Sequence, residues 1–295
     1  MEPDPASVRQ VRSFNRTVTE RVGALDDQFL GRHRPLGEAR LLWEVGPDGA
    51  EVRDLRARLS LDSGYVSRLL RSLQRDRLVV VSASPADRRV RRVRLTKAGA
   101  AERAELDRRS DTLARGLLAP LSDGQRGRLV AAMTEVERLL SAPLVEVAVA
   151  DPGSRDARWC FEQYFAELDE RFDGGFDPAA SIPAEANELK PPAGVLLIAR
   201  LRGRAIGCGA MKLHARAPAE LKRMWVARDA RGLGVGRRLL VALEGHARAR
   251  SATVLRLETN RSLTEAISLY RRSGFVEVAP FNDEPYAHHW FEKRL

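Results

Sequence analysis

At "SAPL", residues 141–144, the hydrophobic period of the chain changes, and that change limits the possible folds more than any motif does. Before it, apolar residues recur every three or four positions. In "SVRQVRSFNRTVTERVGAL" the residues Val8, Val11, Phe14, Val18, Val22 and Leu25 mark one face of a helix. Shorter helices follow in "LGEARLLWEV" and "VRDLRARL", split by the turn "GPDG". "DSGYVSRLLRSLQRDRL" is a further helix, which Asp62 or Ser63 can cap. "VVVSAS" and "RVRRVRL" read as two strands around "PADRR". Long helices then run from Lys97 to about Leu118 and from Gly124 to Leu140. After the change, strands such as "LVEVAVA", "GVLLIARL", "RAIGCGAMKL", "AELKRMWVA", "TVLRLET", "FVEVAP" and "AHHWFEKRL" alternate with helices such as "RDARWCFEQYFAELDERF", "GVGRRLLVALEGHARAR" and "LTEAISLYRRSG". A run of helices and an alternating pattern build different layers, so two domains are expected, 1–142 and 143–295, with Pro143 interrupting the helix between them.

Composition narrows the classes. The chain is 44% hydrophobic and 31% charged, the balance of a globular protein with a core. No run of about 18 apolar residues occurs, so no membrane partner is expected. The start "MEPDPASVRQ" lacks an apolar signal core. Two cysteines, Cys160 and Cys208, without a CxxC, fit a reducing cytoplasm and argue against a disulfide framework or a metal site. Cys208 reads as buried and structural rather than as a nucleophile. The net charge is +10, but only five of the 50 basic residues are Lys, a bias that often reflects nucleotide composition. Its distribution says more: residues 1–142 carry 27 basic and 20 acidic side chains, residues 143–295 carry 23 and 20. The excess in the first half points to a nucleic-acid partner.

The helix at 62–76 supports that partner. Val66, Leu69, Leu70 and Leu73 share one face, while Ser63, Tyr65, Ser67, Arg68, Arg71 and Arg75 fall largely on the others. A small polar start with Arg beyond suits a major groove, and the first amides favour a nearby phosphate. The turn Pro85–Arg89 joins two basic strands, so Arg88, Arg89 and Arg91 can reach a DNA backbone or minor groove. The alternative is a solvated basic hairpin. "GYVSRLLRSLQRDRLV" followed by "DRRVRRVRLTKAG" resembles the MarR winged-helix regulators over residues 7–141. The resemblance implies a mainly α winged helix-turn-helix fold and a homodimer formed by the terminal helices. It also implies a near-palindromic double-stranded operator, with helix 62–76 reading bases and Asp87–Arg92 as the wing. The chain departs from the pattern at Arg77, where the family usually has Gly, and at "VVS", where it often has a basic residue.

In the second half, "RDARGLGVGRR" is not G-x-G-x-x-G, and no Lys-Ser or Lys-Thr follows, so the Rossmann and Walker readings fail. Its position is informative. The loop leaves a strand and enters an amphipathic helix, where glycines let several N–H groups face one anion and the helix end adds partial positive charge. Arg231 and Arg237 can add direct charge, and a pyrophosphate is the natural guest. "AELKRMWVARDARGLGVGRRLL", "LRLETN" and "EAISLYRRSGFVEV", in that order, resemble the GNAT acyl-CoA N-acetyltransferases over residues 144–295.

That resemblance implies an α/β fold with a mixed, mostly antiparallel sheet, and acetyl-CoA as cofactor. The amides of Arg231, Gly232, Leu233, Gly234, Val235 and Gly236 would hold the pyrophosphate. The backbone of Met224, Trp225 and Val226 would bond the pantetheine arm like an added strand, with Asn260 at the strand end beside it. Tyr270 matches the general acid for the leaving thiolate, and Glu220 the catalytic base, with a water chain or the C-terminal His288 or His289 as alternatives. Transfer is expected to be direct, onto a small amine acceptor. Arg171 and Phe172 would lie over the acceptor site, Arg171 clamping a carboxylate or merely pairing with Glu167, and Tyr286 and Trp290 would wall it. The leading reading is a DNA-binding regulator fused to an acetyltransferase. A ligand sensor without turnover, and an enzyme using its winged helices only to dimerise, are the alternatives.

Overall fold

The computed structural model describes residues 2–26, 28–83, 89–182, 184–214 and 218–295. It divides into two compact units, Met1–Ala131 and Ala132–Leu295. In the first unit, α1 (Pro5–Arg21) precedes α2 (Leu36–Val45), β1 (Ala50–Glu51), α3 (Val52–Leu59), α4 (Ser63–Arg75), β2 (Val79–Ala83), β3 (Arg91–Leu95) and α5 (Lys97–Leu118). The strands form a small antiparallel sheet in the order β1-β3-β2. The two-residue β1 was not legible in the sequence, because a bridge that short has no period. Val66, Leu69, Leu70 and Leu73 of α4 bury against Leu41, Leu42, Leu55 and Val93, forming one core. Each such side chain contributes about 1.5–3 kcal/mol by leaving water. Val8, Val11, Phe14 and Val18 of α1 stay exposed.

Arg77 adopts the left-handed conformation with φ of 60°. It follows the C-cap of α4, where Leu78 N–H returns to the Leu73 carbonyl at 2.9 Å. Glycine adopts this backbone without a Cβ penalty, which gives the family's preference there a physical reason and leaves Arg77 as a tolerated exception.

The helix α6 (Asp123–Ser141) begins in the first unit and ends in the second. Its last turns belong with the second unit because Arg138 donates to the Gly232 carbonyl at 3.0 Å. The division between the two compact units thus falls inside α6. The second unit continues with β4 (Val145–Val149), α7 (Arg155–Arg171), β5 (Gly194–Leu201), β6 (Arg204–Lys212), β7 (Ala219–Val226), α8 (Val235–Arg248), β8 (Val254–Thr259), α9 (Thr264–Arg272), β9 (Val276–Val278) and β10 (His289–Arg294). Its sheet runs β4-β5-β6-β7-β8-β10-β9. All recorded pairs are antiparallel except β7 with β8. The sheet is thus mixed and mostly antiparallel. Leu239, Leu240 and Leu243 of α8 are fully buried in the core, and Cys160 and Cys208 are buried there as well. No helix among the described residues is long and apolar enough to cross a membrane.

Candidate functional site

Two features of β7 open the sheet. Cys208 pairs with Trp225 and Ala210 with Lys222, so Arg223 and Met224 together face the single residue Gly209. This is a β-bulge, and Arg223 stands in it with φ of 53°. The parallel register with β8 covers Ala219↔Leu255 and Glu220↔Arg256. From Leu221 and Leu257 onward, residues of both strands line cavities instead.

One cavity, of about 730 Å³, lies at the glycine loop. Its walls include Met224, Trp225, Val226, Arg231, Gly232, Gly234, Val235, Gly236 and Arg237, all anticipated from the sequence. Gly232 and Gly234 have φ of 82° and 76°. These left-handed positions turn the chain from β7 into α8, and only glycine takes them freely. The first helical bond of α8 runs from Arg238 N–H to the Gly234 carbonyl at 3.0 Å. The amides of Val235, Gly236 and Arg237 precede it, so helix geometry leaves them without an intrahelical acceptor. No side chain caps this end. The donor set suits a pyrophosphate, and the volume suits an extended ligand.

The charges around this cavity are arranged differently from the expectation. Arg231 donates to both oxygens of Glu167 at 2.6 Å and to the Val226 carbonyl, so it braces the loop. Trp225 Nε1 donates to the same carboxylate at 2.9 Å. Arg171 pairs with Glu167 at 3.1 Å and Glu265 at 2.8 Å and donates to the Ser262 carbonyl. Arg171 lines the loop-side cavity, so pairing with Glu167, not clamping of an acceptor, is what it does here. Burial alone would raise the Glu167 carboxyl; hydrogen bonds from Arg231, Trp225 and Arg171 outweigh it and hold the group below the usual carboxylate range. Arg237 is exposed and has no ion pair among the described residues, which leaves it open to an anion; Arg272, which lines the same cavity, donates to Ser268. Leu233 packs into the core and stands away from this cavity.

A second cavity, of about 310 Å³, shares the walls Tyr164, Leu168, Met224, Leu263, Ala266 and Tyr270 with the first. Tyr270 is 5% exposed, and burial, then the charge of Glu258, pushes its phenol well above the ordinary value. It therefore stays protonated, as a proton donor must. Phe172, Phe176 and Tyr286 pack ring on ring along the far wall, with Phe176 and Tyr286 centroids 4.8 Å apart. Asn260 lines this cavity, but its side chain is engaged, donating to the Tyr286 carbonyl at 2.8 Å and accepting from Ser262. It ties the segment bearing Tyr286 to the end of β8.

Several expected acceptor-side residues are elsewhere. Glu220 lines neither cavity. It pairs with Arg256 at 2.6 Å, with His214 at 3.3 Å and with Lys222 at 3.6 Å. Burial would raise its carboxyl, but the Arg256 hydrogen bond and the charges of Lys222, Arg256 and His214 lower it, which makes Glu220 a weak base. His288 is exposed, and His289 is held by Glu277 on β9 at 2.6 Å; neither lines a cavity. Trp290 donates to Asn282 instead of walling the pocket.

The carboxylates that do line it are Glu185, Glu284 and, on β8 where the strands part, Glu258. Lys222 holds its Oε1, while its buried Oε2 has no partner. Sequence reasoning missed Glu258, Lys222, Arg223 and Tyr164. The string "LRLETN" did contain Glu258, but only the divergence of β7 and β8 turns that position toward ligand.

In the first unit, α4 presents the face read from the sequence. Ser63, Arg68 and Arg71 are exposed, Tyr65 and Ser67 half-buried. Arg68 lies over the Tyr65 ring at 5.5 Å, and Arg71 donates to the Ser67 carbonyl. Arg89 and Arg91 are exposed beside and on β3. Arg88 and the start of the proposed wing lie outside the described residues.

Comparison with known proteins matches two family models. Residues 159–275 match the acetyltransferase (GNAT) family, and residues 33–90 match the MarR family. An IAA acetyltransferase of Azospirillum brasilense is 40% identical over 126 residues, which are 42% of this chain and 80% of that protein. An uncharacterized N-acetyltransferase of Dictyostelium discoideum is 36% identical over 66 residues, 22% of this chain and 31% of that one. Among solved structures, a GNAT-family acetyltransferase from Staphylococcus aureus superposes with a TM-score of 0.44 at 14% identity, covering 51% of this chain and 98% of that one.

Proposed function

Because the chain belongs to the GNAT acetyltransferase family through its second unit and carries a MarR-family segment in its first, we propose that it transfers acetyl from acetyl-CoA directly to a small amine and that it binds duplex DNA as a dimer. The observation that carries the enzymatic reading is Glu258, whose buried Oε2 has no partner, on the wall of a cavity that shares Tyr270 and Met224 with the glycine-loop cavity. Acetyl-CoA, the cofactor of this family, supplies the acetyl group as a thioester. The open amides of Val235, Gly236 and Arg237, with the Arg237 side chain, hold its diphosphate. The bulged strand at Met224–Val226 offers backbone groups to its arm.

Glu258 Oε2 receives the acceptor's ammonium and takes one proton, which exposes the nitrogen lone pair. Lys222 on Oε1 keeps the carboxylate oriented. As the N–C bond forms and the C–S bond breaks, Tyr270 gives a proton to the departing sulfur. The acceptor nitrogen sheds two protons in all, one balancing the sulfur and one passing to solvent. The ring wall of Phe172, Phe176 and Tyr286, and a volume near 310 Å³, favour a small acceptor over a protein substrate. The name of the Azospirillum relative supports a small-molecule substrate too.

The test is acetyl transfer to a panel of small amines, followed by mass spectrometry. Glu258→Gln should lower kcat on the order of 10²- to 10⁴-fold. Wild-type rates in that variant, or no acetylated amine in the panel, would remove this reading. DNA binding rests on the exposed Ser63, Arg68 and Arg71 of α4 with Arg89 and Arg91, and dimerisation on the exposed apolar stripe of α1. A salt-dependent duplex shift that survives Arg68→Ala together with Arg71→Ala would argue against α4 as the reader. Measuring that shift with and without acetyl-CoA asks whether the two functions are coupled.

A further inference from the structure

The acceptor cavity holds one cation that the protein leaves without an anion. Arg223, in the bulge of β7, lines it. Its guanidinium lies over the Phe161 ring at 4.2 Å and near the Phe165 ring at 5.3 Å, and one nitrogen donates to the Ala184 carbonyl at 2.8 Å. Among the described residues it has no carboxylate within 4.0 Å. Glu185 lines the same cavity and its charge acts on Arg223, but from beyond ion-pair reach. Burial pulls the guanidinium below its ordinary value, though a guanidinium stays charged at any working pH.

The neighbouring half-buried and buried cations are treated differently. Arg171 and Arg231 share Glu167, Arg256 has Glu220, Arg200 has Asp156 and Lys222 has Glu258. A partly desolvated charge without a counter-charge is costly unless a ligand completes it. A planar guanidinium with spare N–H groups is matched by a carboxylate, which it binds with two parallel hydrogen bonds.

Opposite in sign, Glu258 lines the same cavity, and its buried Oε2 has no partner. The site therefore presents a carboxylate that Lys222 pairs on one oxygen only, a guanidinium without an ion pair and a wall of three rings. A simple amine would satisfy the first and leave the second. We infer that the acceptor is an amino acid with an aromatic or apolar side chain, its carboxylate on Arg223, its amino group at Glu258 and its side chain against Phe172, Phe176 and Tyr286. This names the substrate class for the acetyltransfer proposed above and rests on it. The bonds and protons are those already given: nitrogen to carbonyl carbon formed, carbon to sulfur broken, one proton to the sulfur and one to solvent.

The experiment compares an amino acid with its decarboxylated counterpart. Acetylation of phenylalanine and of phenethylamine, and of tryptophan and tryptamine, is measured as kcat/KM at saturating acetyl-CoA. Phenylalanine or tryptophan should exceed its amine by at least about 100-fold in the wild type. Arg223→Met should collapse that ratio to within a few-fold, chiefly through a raised KM for the acid. Arg223→Lys, which keeps the charge but not the fork, should retain part of it. Acetyl-CoA titration of each variant reports whether it is folded, and the Lys variant carries the test if the Met variant is not. Equal turnover of acid and amine in the wild type, turnover of other amines only, or a ratio unmoved in a folded Arg223 variant would overturn the assignment and leave the acetyltransferase reading standing. No turnover of any amine would remove both.

Discussion

Two helices of this chain begin where a polyanion is expected, and they begin differently. Before α4 stands Asp62, whose carboxylate accepts the Tyr65 N–H at 2.8 Å. Before α8 stands Gly234, left-handed and without any side-chain cap. Both helices have the same unsatisfied first amides. In α4 the protein fills part of that site itself, and the Asp62 charge offsets the helix's partial positive end. In α8 the site is left open. The sequence suggested that α4 would hold a phosphate at its amides as well as read bases. Its own cap makes that end a poor anion site, so the DNA contact proposed there would fall to Ser63, Arg68 and Arg71 on the helix flank. A helix end that takes an anion is marked less by glycine or arginine than by a missing cap.

The strongest way to break the comparison is to cap α8. Gly234→Asp would place a carboxylate where Asp62 stands in α4, at a position Asp tolerates better than most residues. It would compete with the diphosphate for the same amides and repel it. Losing one or two hydrogen bonds to a charged group costs about 2–3 kcal/mol, so KM for acetyl-CoA should rise on the order of 30- to 100-fold. Gly234→Ala, which carries the backbone strain without the charge, should raise it only a few-fold. Equal effects would mean that loop shape, not open amides, holds the cofactor.

Charge separates the two ends as well. Arg231 beside α8 is committed to Glu167, whereas Arg68 and Arg71 of α4 have no ion pair among the described residues. Glu167→Gln would leave Arg231 and Arg171 short of a counter-charge and lower the stability of the second unit by roughly 2 kcal/mol. The pH dependence follows from the sign of the shift. The Glu167 carboxyl is held below its unfolded value, so its contribution is complete above the ordinary carboxylate pKa of about 4.3 and is lost as pH falls through the lower folded value. Acid unfolding should therefore be shallower in Glu167→Gln than in the wild type. Parallel acid limbs would show that Glu167 is not the group that titrates.

The same contrast explains what was legible in the sequence. Helix periods, the alternation of strands and helices along the chain and the open glycine loop depend on local rules, so residues 226–240 could be read as strand, loop and helix. The fork of Arg231 could not, because its partner Glu167 lies on α7, 64 residues earlier. The acceptor side was hardest. Strict alternation along β7 assigns Glu220, Lys222 and Met224 to one face, but the bulge at Arg223 resets the alternation, and the parting of β7 from β8 exposes Glu258 instead of Glu220. Phe176 and Ala184 come from an aperiodic loop that reveals nothing before it folds. The two adjacent histidines looked like bases because alternation must turn one of them inward; inward on β10 meets Glu277, not the cavity.

A smaller effect tests the α4 end. Asp62→Ala removes a cap and should cost the first unit about 1 kcal/mol, a fall of a few degrees in its thermal midpoint. If the amides then stay unused by DNA, the slope of log affinity against log salt is unchanged. A slope steeper by about one unit would mean that a phosphate had taken the vacated end. In that case the two helices differ only in what fills them.

The smallest effect concerns what steadies the open end. Arg138, near the end of α6, donates to the Gly232 carbonyl at 3.0 Å while Glu135 holds its other edge at 2.7 and 2.8 Å. Gly232 has φ of 82°, and a Cβ there would meet the Arg138 guanidinium at 2.3 Å. The side chain thus fixes the peptide that turns into α8 without offering its charge to the cavity, since Glu135 already neutralises it. Arg138→Ala should raise KM for acetyl-CoA about two- to five-fold, the scale of an exposed, charge-assisted contact. Arg138→Lys, unable to span Glu135 and Gly232 with one planar group, should recover little of that. An unchanged KM in both would mean that the left-handed glycines alone keep α8 open, and that α6 meets the loop without supporting it.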